Sequence, residues 1–296
     1  MDFQKELEEK IGYVEKAVQS YLPEVAGYQK TVLEAMNYSV LAGGKRLRPL
    51  LIWEAYRALG GTNKALVEPF MAAMEMIHTY SLVHDDLPAM DDDEYRRGKK
   101  TTHAKYGEAM GILAGDGLLN YAFETAVKAF DSKEEPMKIA EALKILAKKP
   151  GIHGMLGGQT VDVEVCDKPV TEEVLTFIHE LKTGALIEGS LMIGASLAGA
   201  GAEVITKMER IGKLVGVAFQ IQDDVLDVTS TMEVLGKPIH SDEKNHKTTY
   251  VTLKGLDGAK QAVEAYSKEA VELLQSISGD CVFLEQLILW LIQREK

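Results

Sequence analysis

Apolar residues recur along this chain mainly at three- and four-residue steps, the period of an amphipathic helix. Leu7, Ile11, Val14 and Val18 mark one face of a first helix. TVLEAMNYSVLAGG runs into Gly43-Gly44, and RPLLIWEAYRALGG runs into Gly60-Gly61. Both read as helices that stop on glycine, the second with Pro49 near its start, where proline is tolerated. A long apolar segment extends from Asn63 to about His84, and further helices are predicted over 107–130, 134–148, 171–199, 202–228, 257–276 and 281–294. Only VDVEV (161–165) alternates as a strand does, and a lone strand has nothing to pair with. No linker divides the chain and no repeat is visible. The pattern predicts one all-α domain over 1–296, about ten helices with a central layer covered by others.

Two acidic clusters interrupt the apolar pattern. His84-Asp85-Asp86-Leu87-Pro88-Ala89-Met90-Asp91-Asp92-Asp93 ends the segment FMAAMEMIHTYSLVH, and Gln220-Ile221-Gln222-Asp223-Asp224-Val225-Leu226-Asp227 follows LVGVAF. An acidic run is ordinarily a solvated helix face. Carboxylates adjoining buried helices are costly, however, unless something positive binds them. Asp223 and Asp227 share a helix face, with Gln220 on the same stripe. Asp85 and Asp91 are six apart, and Pro88 between them weakens regular helix so that the second carboxylate can swing back. Donors that are all oxygen point to a hard cation, Mg²⁺ before Zn²⁺, shared with a phosphate-bearing substrate. Neither cluster fits an EF-hand loop.

The net charge of -12 argues against nucleic acid and against a basic patch on an anionic membrane. ALIEGSLMIGASLAGAGA, from Ala185, falls short of the roughly 20 apolar residues of a membrane span. The acidic start MDFQKELEEK has no apolar leader core, and Cys166 and Cys281 are far apart in no metal-ligand spacing. A soluble, cytoplasmic protein with reduced thiols is expected. Anions can then bind only where positive groups concentrate. Gly43-Gly44-Lys45-Arg46-Leu47-Arg48-Pro49 is one such knot, and Arg96-Arg97-Gly98 lies just past the first aspartates. Arginine grips phosphate oxygens with two parallel hydrogen bonds. Lys182-Thr183-Gly184, Gly236-Lys237-Pro238 and Lys247-Thr248-Thr249-Tyr250 are weaker signals, and no nucleotide-binding loop is present.

Together these segments resemble the trans-type short-chain isoprenyl diphosphate synthases, most closely the bacterial farnesyl diphosphate synthases. The resemblance runs from about Tyr38 to the C-terminus. It rests on GGKRLRP (43–49), IHTYSLVHDDLPAMDDDEYRRG (77–98), GMLGGQTVD (154–162), KTGALI (182–187), FQIQDDVLD (219–227), LGKP (235–238) and KTTY (247–250). It implies an all-α fold around a deep central cavity, with the two aspartate motifs facing across its mouth and three Mg²⁺ ions bridging them to an allylic diphosphate. Asp85 and Asp91 would bind two ions and Asp223 the third, supported by Asp86, Asp224 and Asp227. Arg96, Lys182, Thr183, Gln220, Lys237 and Lys247 would contact the allylic substrate, and Gly44, Lys45, Arg48, His78 and Arg97 would hold isopentenyl diphosphate. A homodimer is common in the family. The chain departs from the pattern at Lys99-Lys100-Thr101, where a proline often follows, and at Val251.

His78 lies two turns before Asp85 on the same stripe, where a lone helical histidine is ordinarily a packed core residue; the resemblance makes it a substrate contact. In the family the residues four and five before the first aspartate help to set product length; these are Ser81 and Tyr80, and an aromatic at the fifth resembles the C15 makers. A C20 synthase of the same family is the alternative product reading. A terpene cyclase would not need GGKRLRP, and a non-catalytic partner subunit would have lost an aspartate motif or the basic knot.

Overall fold

The computed structural model describes residues 2–166, 168–229 and 248–292, which are almost wholly helical. They form two compact units, one of residues 1–53 and 62–143, the other of 54–61 and 144–296. The sequence-predicted Lys237 and Lys247 lie outside the described residues.

The first unit is organised around a helix that its own sequence makes apolar nearly all round. Helix α1 (Phe3–Ser20) starts at Asp2, whose side chain accepts from the Gln4 amide, and buries Leu7, Val14 and Val18. Helix α2 (Lys30–Val40) buries Ala35, Met36 and Val40. Helix α3 (Leu47–Ala58) begins in this unit, and its first backbone bond runs from the Leu50 amide to the Arg46 carbonyl. Helix α4 (Lys64–Asp85) is the centre: Phe70, Met71, Met74, Met76 and Ile77 are completely enclosed, as expected for a helix apolar on every face. It ends where the acidic cluster begins. After a short hairpin and α5 (Thr102–Tyr106), α6 (Glu108–Ala126) lies along α4. That approach depends on Gly115, where a Cβ would stand 2.0 Å from His84 Nε2.

Helix α7 (Pro136–Lys148) begins in the first unit and ends in the second, where α8 (Met155–Glu164) follows it. Helix α9 (Glu172–Ile178), a π-helical turn (His179–Gly184) and α10 (Ala185–Leu197) then continue without a break. Helix α11 (Ala202–Thr229) packs on this rod at two glycines one turn apart. A Cβ on Gly212 would come 2.5 Å from Glu188 Cα, and one on Gly216 the same distance from Gly184 Cα. Lys149 bridges α10 and α11, pairing with Glu188 and, at 2.7 Å, with Glu209. Helix α12 (Tyr250–Gln275) opens on a Thr249/Thr252 capping box and is interrupted at Gly255, and α13 (Val282–Ile292) closes the chain.

The all-α expectation holds, with three local differences. VDVE closes α8 and Val165 caps it, the alternation overridden where no neighbouring strand among the described residues receives it. The charged stretch after the first aspartates contains a two-stranded antiparallel hairpin, β1 (Tyr95–Arg96) and β2 (Lys99–Lys100). Its turn residues Arg97 and Gly98 both have positive φ, as type I′ hairpins require. Helix α12 starts at Tyr250 rather than near 257. Both cysteines are free, and no helix among the described residues is long and apolar enough to cross a membrane.

Candidate active site

In the first unit the end of α4 and the hairpin carry the acidic and basic groups together. Asp85 is the last residue of α4 and Asp86 its C-cap. Beyond Pro88 the chain turns back, so that the Asp91 amide donates to the Asp85 carbonyl at 2.9 Å. This return brings the two candidate metal-binding carboxylates onto neighbouring backbone. Asp86 is only 4% exposed and is held by Arg96, whose Nε and Nη2 both lie 2.7 Å from one carboxylate oxygen. Burial raises the Asp86 pKa, and the Arg96 charge opposes it.

The basic knot sits beside this cluster. Gly43 and Gly44 have φ of 96° and 152°, and a Cβ on Gly44 would lie 2.6 Å from the Arg97 guanidinium, which donates to the Gly43 carbonyl. Lys45 is exposed. The half-buried Arg48 has an enclosed Nε without a hydrogen-bond partner among the described residues. Burial lowers its pKa to about 10, Glu75 opposing and Arg97 adding to the effect, so Arg48 is charged at neutral pH. Burial, and then the charges of Arg48, Arg97, Arg96 and Arg46, press His78 well below its usual value and keep it neutral. Arg46 and Arg96 are paired with carboxylates, which leaves the charges of Arg48 and Arg97 beside an uncharged imidazole for an anion to neutralise. Tyr80 packs edge-on against His84, ring centroids 5.9 Å apart, and the Ser81 hydroxyl donates to the His78 carbonyl.

The second unit holds the other set. Lys182 and Thr183 lie on the π-helical turn, where one extra residue per turn re-aims side chains. Lys182 Nζ is 2.6 Å from Asp162 Oδ2, and Gly158, one turn earlier on α8, would place a Cβ 2.2 Å from the Lys182 amide. Half-buried Gln220, Asp223 and Asp224, with buried Asp227, follow one another on α11. Asp224 also accepts from the Tyr250 amide at 2.7 Å and so helps to start α12.

Three residues take on roles that the sequence does not assign them. Arg46 is 2% exposed at a φ of 49° and pairs with Glu15 and Glu75. Burial works against its charge, but the two carboxylates outweigh that and raise its pKa. Asp162, in GMLGGQTVD, is the partner of Lys182. His179 on the π turn is 7% exposed, and its Nδ1 has no partner among the described residues. Burial lowers its pKa to about 4 against the opposing charges of Asp162 and Asp223.

No three acidic, histidine or cysteine side chains among the described residues converge as a ready-made metal site. The donors nevertheless fit Mg²⁺, which typically takes one or two carboxylates and completes its shell from water and substrate phosphate. Asp85 and Asp91 in the first unit and Asp223 in the second are the candidate donors that the sequence puts forward for it.

Residues 29–278 match the Polyprenyl synthetase family. The chain is 43% identical to a farnesyl diphosphate synthase of Geobacillus stearothermophilus, over 90% of this chain and 89% of that one. It is 44% identical to a chloroplastic geranylgeranyl pyrophosphate synthase of Catharanthus roseus, over 81% and 67%. Among solved structures, a geranyltransferase of Helicobacter pylori complexed with magnesium and isoprenyl diphosphate is similar at a TM-score of 0.84. That likeness has 32% identity and covers 99% of this chain and 97% of the other.

Proposed function

Because the chain belongs to the Polyprenyl synthetase family, and is thus a transferase, we propose that it condenses isopentenyl diphosphate with dimethylallyl or geranyl diphosphate to give (2E,6E)-farnesyl diphosphate. The observation that carries this reading is the gathering of Arg48, Arg96 and Arg97 around His78, with Arg96 paired to Asp86 next to Asp85 at the end of the same helix. Polyanion-binding cations and cation-binding anions so close together suit a diphosphate that arrives with its metal.

In the reaction, the allylic carbon–oxygen bond breaks and its electron pair leaves with diphosphate. The double bond of isopentenyl diphosphate attacks the allylic cation, a carbon–carbon bond forms, and a proton passes to the released diphosphate. Magnesium, when bound by Asp85, Asp91 and Asp223 with Asp86, Asp224 and Asp227 in support, supplies positive charge at the departing group; the family pattern is three ions. Arg96, Lys182, Thr183 and Gln220, with Lys237 and Lys247, hold the leaving diphosphate in fixed positive surroundings. Gly44, Lys45, Arg48, His78 and Arg97 hold isopentenyl diphosphate, with neutral His78 donating a hydrogen bond. No protein nucleophile is required. One catalytic domain over 1–296 is supported by a single family match running through both compact units, and a homodimer by the resemblance.

Geranylgeranyl pyrophosphate synthases are equally similar relatives, so a C20 product is the competing outcome. The Tyr80 ring, five residues before Asp85, favours C15. The test is incubation with Mg²⁺, isopentenyl diphosphate and each of the C5, C10 and C15 allylic primers, followed by chain-length analysis. C15 should accumulate from the C5 and C10 primers, and chelator should abolish it. Efficient extension of the C15 primer would replace this reading with the C20 one.

A further inference from the structure

Arg46 lies inside the basic knot yet faces away from solvent. Its Nε donates to Glu15, its Nη2 reaches the other Glu15 oxygen at 3.1 Å and the Val40 carbonyl at 2.7 Å, and its Nη1 meets Glu75 at 2.7 Å. Three segments thus converge on one guanidinium: α1 through Glu15, the end of α2 through Val40, and α4 through Glu75. A lysine, a point charge on a flexible stem, could not make this set of bonds.

The backbone at the same residue does two further things. Its φ of 49° is unusual for a residue with a side chain and turns the chain between exposed Lys45 and Arg48. Its carbonyl accepts the first helical bond of α3, from Leu50, so the turn that carries Arg48 starts from this point. A side chain clamped at four places fixes that turn on both sides. Glu15 belongs to α1, which precedes the residues matched by the family. Helix α1 is itself fastened by the Tyr13 hydroxyl to Glu68 at 2.7 Å and by Tyr13 packing on Trp53.

We infer that Arg46 is a positioning residue for isopentenyl diphosphate, and that α1, through Glu15, is a working part of that subsite. The clamp holds Lys45 and Arg48 in the geometry that receives the diphosphate, without touching it. This rests on the functional reading above, since it assigns the clamp to one substrate of that reaction.

The deciding variant is Glu15→Gln, because Glu15 is 31% exposed and its loss leaves Glu75 paired with Arg46. The expected result is a five- to tenfold rise in both the KM and the calorimetric Kd for isopentenyl diphosphate, roughly the loss of one charge-assisted hydrogen bond. The KM for geranyl diphosphate and kcat should stay within about twofold, and the circular dichroism should be unchanged. Arg46→Lys should shift the same two quantities further; should it fail to fold, Glu15→Gln decides alone. Unchanged constants, or equal changes for both substrates, overturn the inference. A wild-type protein that binds isopentenyl diphosphate but transfers no prenyl group refutes the reaction instead, and the Kd comparison still judges the clamp. If the wild type binds none, both fail.

Discussion

Tyr80 and His179 show how a single side chain can carry a functional consequence. Tyr80 stands half-buried on α4, its ring edge-on to His84 five residues before Asp85. If it limits the space for the growing tail, Tyr80→Ala should extend the product to C20 or beyond with little loss of rate, read by chain-length analysis. Unchanged C15 output would reduce Tyr80 to ordinary packing. His179 titrates at about 4 in the folded chain, against 6.5 when unperturbed. Between these values the unfolded chain binds the extra proton, so stability must fall as pH drops from 6.5 toward 4. The contribution is at most about 3 kcal/mol. Urea midpoints of the wild type should therefore fall more steeply over that window than those of His179→Asn. Parallel profiles would mean that the imidazole is not kept neutral by its site.

The helices show where sequence patterns suffice and where they do not. Helices α1 to α4 were legible because their apolar period coincides with burial, with glycine stops after α2 and α3, and the aspartates stood out because they lie at or near the ends of buried helices. Three features were not legible. VDVEV alternates like a strand, but Gly158 and Asp162 must share a helical face to meet Lys182. The Arg97-Gly98 turn lacks the Asn-Gly or Asp-Gly pair that usually announces type I′. The π turn leaves no periodic signature at all. Nor does sequence spacing connect Arg46 with Glu15 and Glu75, some thirty residues away on either side. The contact of α8 with the π turn is testable as an element: a methyl at 158 would meet backbone, which cannot rotate away. Gly158→Ala should cost about 1–3 kcal/mol, read as a lower urea midpoint. It should also weaken turnover by displacing Lys182. A variant as stable and active as the wild type would show that α8 does not brace that turn.

At the scale of the whole molecule, a chain of net charge -12 is asked to bind two diphosphates. Long-range electrostatics oppose this, so affinity must come from the local arginine cluster and from metal that arrives with substrate. An acidic protein that merely buffers cations would behave differently: it would bind Mg²⁺ alone, and it would need neither Arg48 nor Arg96. The proposed reaction also requires both carboxylate sets, although they lie far apart in the sequence and in different compact units. The direct measurement is a calorimetric titration of Mg²⁺ with and without an unreactive allylic thiolodiphosphate, on the wild type, Asp85→Ala and Asp223→Ala. Strong binding should appear only with the diphosphate present, and each substitution alone should weaken it. Equal Mg²⁺ binding without any diphosphate, or binding indifferent to either aspartate, would contradict the account.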